Sequence, residues 1–208
     1  METDKIFVSN SGAGMEKALN ETERFSEYEK LSHKAGIHVR LLAEEMLGMV
    51  RAVAEPTQSV FWIDGNSREV RLHLTSRAEI DLDKREELMS VSTSGKNISA
   101  VGIMGKIREM VEIGLQNYDE TGKIEAKSGI PMLDYGAMGG EDPVMLQSMY
   151  TWSLQKYRDS VEEAKEENEE AAEAWDELEK SVIANIADDV QVGIMKDTVE
   201  MIVYKSFV

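Results

Sequence analysis

Two short runs rich in β-branched and aromatic residues, Ser59-Val-Phe-Trp-Ile63 and Glu69-Val-Arg-Leu-His-Leu74, flank Asp64-Gly65-Asn66-Ser67. Strand-forming runs on either side of such a turn composition specify an antiparallel hairpin. The chain is thereby committed to a sheet built largely from antiparallel neighbours. Within the second run Val70, Leu72 and Leu74 fall on one face and Arg71 and His73 on the other, so His73 is expected to face solvent rather than to act as a ligand. Neither His33 nor His38 is spaced for a metal pair or a catalytic triad, and no catalytic histidine is evident.

The remaining elements fit around this hairpin. Lys5-Ile-Phe-Val-Ser9 followed by Ser11-Gly-Ala-Gly14 reads as a strand ending in a turn. Met15, Leu19, Thr22 and Phe25 then supply one side of an amphipathic helix. A second helix is predicted from about Ser32 to Ala54 and is stopped by Pro56, because proline disfavours helix in the residue before it. The C-terminal stretch Val190 to Phe207 reads as a second hairpin turning near Lys196-Asp197. Strand signals thus open, interrupt and close the chain. The predicted fold is α+β: a mostly antiparallel sheet with helices on one face, forming a single domain over residues 1–208.

A helical and loop insertion is expected over residues 113–187. The part from about Asn117 to Pro143, with Gly136-Ala-Met-Gly-Gly140, reads as a long connection. From Met149 to about Ala187 the sequence predicts one long helix carrying a heptad stripe that includes Leu154, Val161, Trp175, Leu178 and Val182. Such a helix would reach about 55 Å, so it must bend, pack along the domain, or project and pair. Trp175, Leu178 and Val182 are the expected anchors for a protein partner, with a homodimer through the long helix as one form of that contact.

Charge removes several function classes. Forty acidic residues against 23 basic ones leave a net charge of −17, which disfavours binding to a phosphate backbone, so no nucleic-acid partner is expected. The absence of cysteine excludes disulfides, thiolate zinc sites and thiol nucleophiles. The segment METDKIFVSN lacks the basic and apolar parts of a signal peptide, and no apolar run approaches a membrane span. A soluble, cytoplasmic protein without a membrane partner is the expectation.

One helix raises a chemical question. Arg40-Leu-Leu-Ala-Glu-Glu-Met-Leu-Gly-Met-Val50 sets two adjacent carboxylates in an apolar segment. At 100° per residue Glu44 falls toward Arg40 and reads as a surface acid in a helical charge pair. Glu45 instead points among Leu41, Leu42 and Met49, with Gly48 leaving space beside it. Such a carboxylate is either a general base or a structural acid paired with His38 or a backbone amide.

This order of elements, and some local sequence, resembles the ATP-binding domain of histidine-kinase-type ATPases (the Bergerat or GHKL fold), most closely the anti-sigma-factor serine kinases. Residues AEEMLGMV stand where that family carries a Glu-x-x-x-Asn helix motif. The stretch EVRLHLTSRAEIDLDKREELM is similar to the family's strand and lid entry, STSGKNISAVGIMGKIREMVE to its lid end and Gly-rich helix, and ADDVQVGIMKDTVEMIVYKSF to its closing hairpin. The resemblance implies ATP and Mg²⁺ as ligands, Glu45 as the catalytic base, and Ser94, Gly95, Lys96, Asn97, Gly102 and Gly105 as nucleotide-binding residues. Met49 occupies the position of the metal-holding asparagine, and Thr75 to Glu79 stand where the family has an Asp-x-Gly-x-Gly turn. A thioether is a poor ligand for a hard cation.

These departures make a degenerate ATP-binding-like domain, acting as a regulatory or protein-interaction module, the leading expectation. The alternative is an active ATP-binding serine kinase or ATPase with unusual ligands. A third class, a small-ligand protein with a cleft near Met49, Trp62 and the Gly136–Gly140 loop, is allowed by the 13 methionines.

Overall fold

The computed structural model describes residues 1–52, 57–78, 150–195 and 198–207. Strand β1 (Ile6–Ser9) passes through a glycine turn into α1 (Met15–Tyr28), and α2 (His33–Ala52) follows. β2 (Thr57–Gly65) and β3 (Glu69–Ala78) form the hairpin that the turn composition predicts. After β4 (Tyr150–Ser153) come α3 (Leu154–Ala164), α4 (Glu169–Lys180) and α5 (Val182–Ile186), and β5 (Asp189–Met195) and β6 (Thr198–Ser206) close the chain.

The six strands among the described residues join one sheet in the order β1-β2-β3-β6-β5-β4, and every neighbouring pair is antiparallel. The predicted α+β class therefore holds, with five helices among the described residues. Residues directly opposite in antiparallel strands point to the same face. Ile6, Phe61, Leu74, Met201, Val192 and Trp152 accordingly stand in one row across the whole sheet. Ile63, Leu72, Val203 and Val190 form the adjoining row.

Both rows are buried, and they share one core with Phe25 of α1, Leu42 and Met46 of α2, Leu154 and Val161 of α3, Leu178 of α4, and Ile183 of α5. All five helices thus contribute side chains to the same face of the sheet. Burying each of these large apolar groups contributes about 1.5–3 kcal/mol. In α1 the buried positions Met15, Ala18, Thr22, Phe25 and Ser26 recur every three to four residues. Its two buried hydroxyls are satisfied within the helix, Thr22 donating to the Ala18 carbonyl and Ser26 to the Thr22 carbonyl, both at 2.9 Å.

The turn between α1 and α2 uses an uncommon residue. Lys30 adopts φ 56°, and the amides of Lys30 and Leu31 donate back to the carbonyls of Glu27 and Ser26. This is the paired bonding with which helices close their C-terminal carbonyls, normally through glycine. Leu31 then packs against the core, which fixes the direction in which α2 leaves.

The region from 149 to 187 differs from expectation. Tyr150–Ser153 is a sixth strand rather than the start of a helix, and the rest is three short helices instead of one long one. Cap-forming residues explain the breaks. Ser153 accepts from the Lys156 amide at the start of α3, and Ser181 accepts from the Ala184 amide at the start of α5. The Asp189 carboxylate receives Ser153 Oγ and the Gln155 amide, each at 3.0 Å, so the beginning of α3 is tied directly to β5.

Candidate functional site

Among the described residues, α2 carries the acid singled out by sequence. Leu42, Ala43, Met46, Leu47 and Val50 are buried, Glu44 and Gly48 are exposed, and Leu41, Glu45 and Met49 lie half-buried on the shoulder between. Glu44 accepts from Arg40 Nε at 2.9 Å, as the four-residue spacing predicts. Arg40 also pairs with Glu23, which links α2 to α1.

Glu45 has neither hydrogen bond nor ion pair to any other described residue. The pairing with His38 considered from sequence is not formed. Burial lowers the His38 pKa first, followed by the positive charges of Lys34 and Lys205. Glu45 and Met49 are one turn apart on a half-buried helix shoulder, and at Gly48 an added Cβ would meet no described residue within 4 Å. The pair offers one carboxylate and one soft sulfur. Among the described residues no cluster of three or more His, Asp or Glu side chains could hold a metal ion. The Mg²⁺ implied by the resemblance does not fit this donor set.

Ser94, Gly95, Lys96, Asn97, Gly102 and Gly105 lie outside the described residues, as do the Gly136–Gly140 loop and the connection around it. The proposed partner anchors separate from one another. Leu178 is only 4% exposed and belongs to the fold's own core, so it is not a surface anchor. Trp175 packs partly against that core, its Nε1 donating to Glu179 at 3.0 Å and its ring covered by Lys165 Nζ at 3.8 Å. Val182 is exposed, at the first position of α5. The heptad stripe is therefore largely spent within the chain.

A second cluster occupies the opposite face of the sheet. His73 is 4% exposed, which corrects the solvent-facing expectation. Its Nε2 donates to Asp64 Oδ2 at 2.6 Å, and its ring stacks on Trp62 with centroids 4.7 Å apart and planes 7° from parallel. Arg71 Nε donates to the other Asp64 oxygen at 2.8 Å, and Lys5 Nζ covers the Trp62 ring at 4.6 Å. The hairpin register, which sets Trp62 opposite His73 and Asp64 opposite Arg71, brings these four side chains together. Nδ1 of His73 is buried without a hydrogen-bond partner, and the Trp62 ring is contacted by both His73 and Lys5. The arrangement clamps the hairpin and buries the imidazole. Trp62 and Met49 consequently lie on opposite sides of the sheet and cannot line one cleft.

No family model matches the chain, and neither does any curated protein or solved structure. No helix among the described residues is long and apolar enough to cross a membrane.

The carboxylates of the sheet make one prediction about pH. Burial alone would raise Asp64, but the hydrogen bond and charge of His73 and those of Arg71 outweigh it and hold the carboxyl below its ordinary value. Asp188 follows the same pattern: burial is outweighed by hydrogen bonds from Lys205 and the Ser206 amide. A carboxyl with a depressed folded-state pKa binds fewer protons folded than unfolded, so its stabilisation is present above the unfolded value of 3.8 and lost as pH falls through the lower folded value. Urea unfolding followed from about pH 6 to about pH 3 is expected to show stability falling across the acid end, with a shallower fall in Asp64→Asn and in Asp188→Asn. An unchanged slope in both variants would remove these carboxyls as its source.

Proposed function

We propose that this chain is a regulatory, protein-binding module built on the fold of histidine-kinase-type ATPases, related to the anti-sigma-factor serine kinases, in which metal-dependent ATP turnover has been lost. The reading is supported by the element order, strand, two helices, hairpin and closing hairpin, assembled into one antiparallel sheet with helices packed on a single face. The observation that carries it is the pairing of Glu45 with Met49 on the open shoulder of α2. An acid positioned to polarise water remains, while the oxygen ligand needed beside it to hold Mg²⁺ is replaced by sulfur. A fold supplies no reaction by itself, so the loss is argued from this donor set.

Thermal melts with Mg-ATP, read beside phosphate release, test the proposal. A ligand present at about 100 times its Kd would add about 2.7 kcal/mol to the folded state, a shift of several degrees. The expected result is an unchanged melting temperature and no phosphate release. A rise in melting temperature that Glu45→Gln preserves, together with phosphate release that Glu45→Gln abolishes, would overturn the proposal in favour of an active kinase or ATPase.

A further inference from the structure

The chemistry of the α2 shoulder specifies more than a missing metal. Residues four apart on a helix form a ridge, and Leu41, Glu45 and Met49 make one such ridge beside the gap at Gly48. Glu45 has no partner among the described residues, whereas the neighbouring Glu44 is engaged by Arg40. The chain as a whole carries a net charge of −17. With no cation among the described residues to offset it, Glu45 repels a phosphate group and attracts a positive one. Half-buried Leu41 and Met49 on either side provide apolar surface, and the unbranched, polarizable Met side chain adapts to what lies on it.

We propose that this ridge is a metal-free seat for a basic side chain of a protein partner, an arginine whose guanidinium pairs with Glu45 while its aliphatic stem crosses Gly48 against Met49. Arginine suits the position better than lysine. Its planar fork matches a carboxylate with two parallel hydrogen bonds, and its weakly hydrated face tolerates contact with the thioether. Gly48 admits the stem because it has no side chain, and a leucine there would fill the space. The proposal rests on the reading of the chain as a protein-interaction module, and it adds the charge and shape of the partner.

Fluorescence anisotropy of the full chain with a labelled alternating Arg-Ala peptide tests it, at about 150 mM salt so that long-range attraction to the acidic surface is screened beyond about 8 Å. Glu45→Gln and Gly48→Leu are each expected to weaken binding by about tenfold or more, whereas Glu163→Gln, which removes an exposed acid of α3, changes it by less than about twofold. Independently of any variant, N-acetyl-arginine amide is expected to shift the Gly48 amide and Met49 methyl resonances of the unmodified protein. No peptide binding, equal loss in Glu45→Gln and Glu163→Gln, or absence of those resonance shifts would each overturn the seat. Those outcomes are separable from the preceding proposal, which fails only if Mg-ATP is bound and hydrolysed.

Discussion

Phe61→Ala is expected to destabilise the fold by about 3–5 kcal/mol. Phe61 is 0% exposed and stands at the centre of β2, paired with Ile6 on one side and Leu74 on the other. Truncation would remove the ring from a row that continues through Met201 and Val192 to Trp152 and is overlaid by the helices. Neighbours on both strands are fixed by ladder hydrogen bonds and cannot collapse fully into the space, so the lost transfer energy is joined by a cavity cost. Domains of this kind have about 5–15 kcal/mol in total, so the variant would be close to unfolding. Phe7→Ala provides the contrast: Phe7 is 75% exposed on the opposite face of β1, and its loss should change stability by no more than about 0.5 kcal/mol. Urea titration with an unchanged slope would confirm both values. A cost below about 1.5 kcal/mol for Phe61→Ala would mean that the row is not the centre of the core.

The elements that the sequence announced clearly are those governed by local chemistry. The hairpin between β2 and β3 and the alternation of Val70, Leu72 and Leu74 in β3 depend on backbone preferences within a few residues, although the connection falls at residues 66–68 and Asp64 and Gly65 extend β2. The stop expected at Pro56 lies outside the described residues. The orientation of Glu45 followed from helical phase alone. Long-range packing was less accessible. Alternation placed His73 on the face away from Leu72, but it could not show that Trp62 would cover the imidazole, because that depends on the cross-strand partner. That partner is set by where the chain turns: the connection lies at residues 66–68 rather than at Asp64–Ser67, and this pairs Trp62 with His73 and Asp64 with Arg71. Leu178 illustrates a deeper ambiguity. A three-four apolar spacing is the same whether a helix meets another chain or folds onto its own sheet. The deciding residues were Ser153 and Ser181, which cap the starts of α3 and α5 and divide the expected rod into pieces short enough to pack locally.

Gly14→Ala is expected to cost about 2–5 kcal/mol, from two sources acting together. Gly14 sits at φ 77°, in the left-handed region, immediately before the first residue of α1. An alanine there carries a conformational cost of about 1–2 kcal/mol. The larger obstacle is steric. A Cβ would lie 1.9 Å from the Phe7 carbonyl oxygen and 3.0 Å from its carbonyl carbon. Those are backbone atoms of β1, held in register against β2 from Ile6 to Ser9, so they cannot move aside as a flexible side chain would. Relief requires the turn to lift away from β1 and α1 to shift with it. Asn tolerates the left-handed region but still has a Cβ, and therefore separates the two causes. Gly14→Asn should be nearly as damaging as Gly14→Ala if the contact with Phe7 dominates, and clearly milder if backbone conformation dominates. The distances favour the first outcome. Because α1 holds α2 through Glu23 and Arg40, amide exchange at Gly48 is also expected to quicken in the alanine variant, whereas a purely local defect would leave it unchanged.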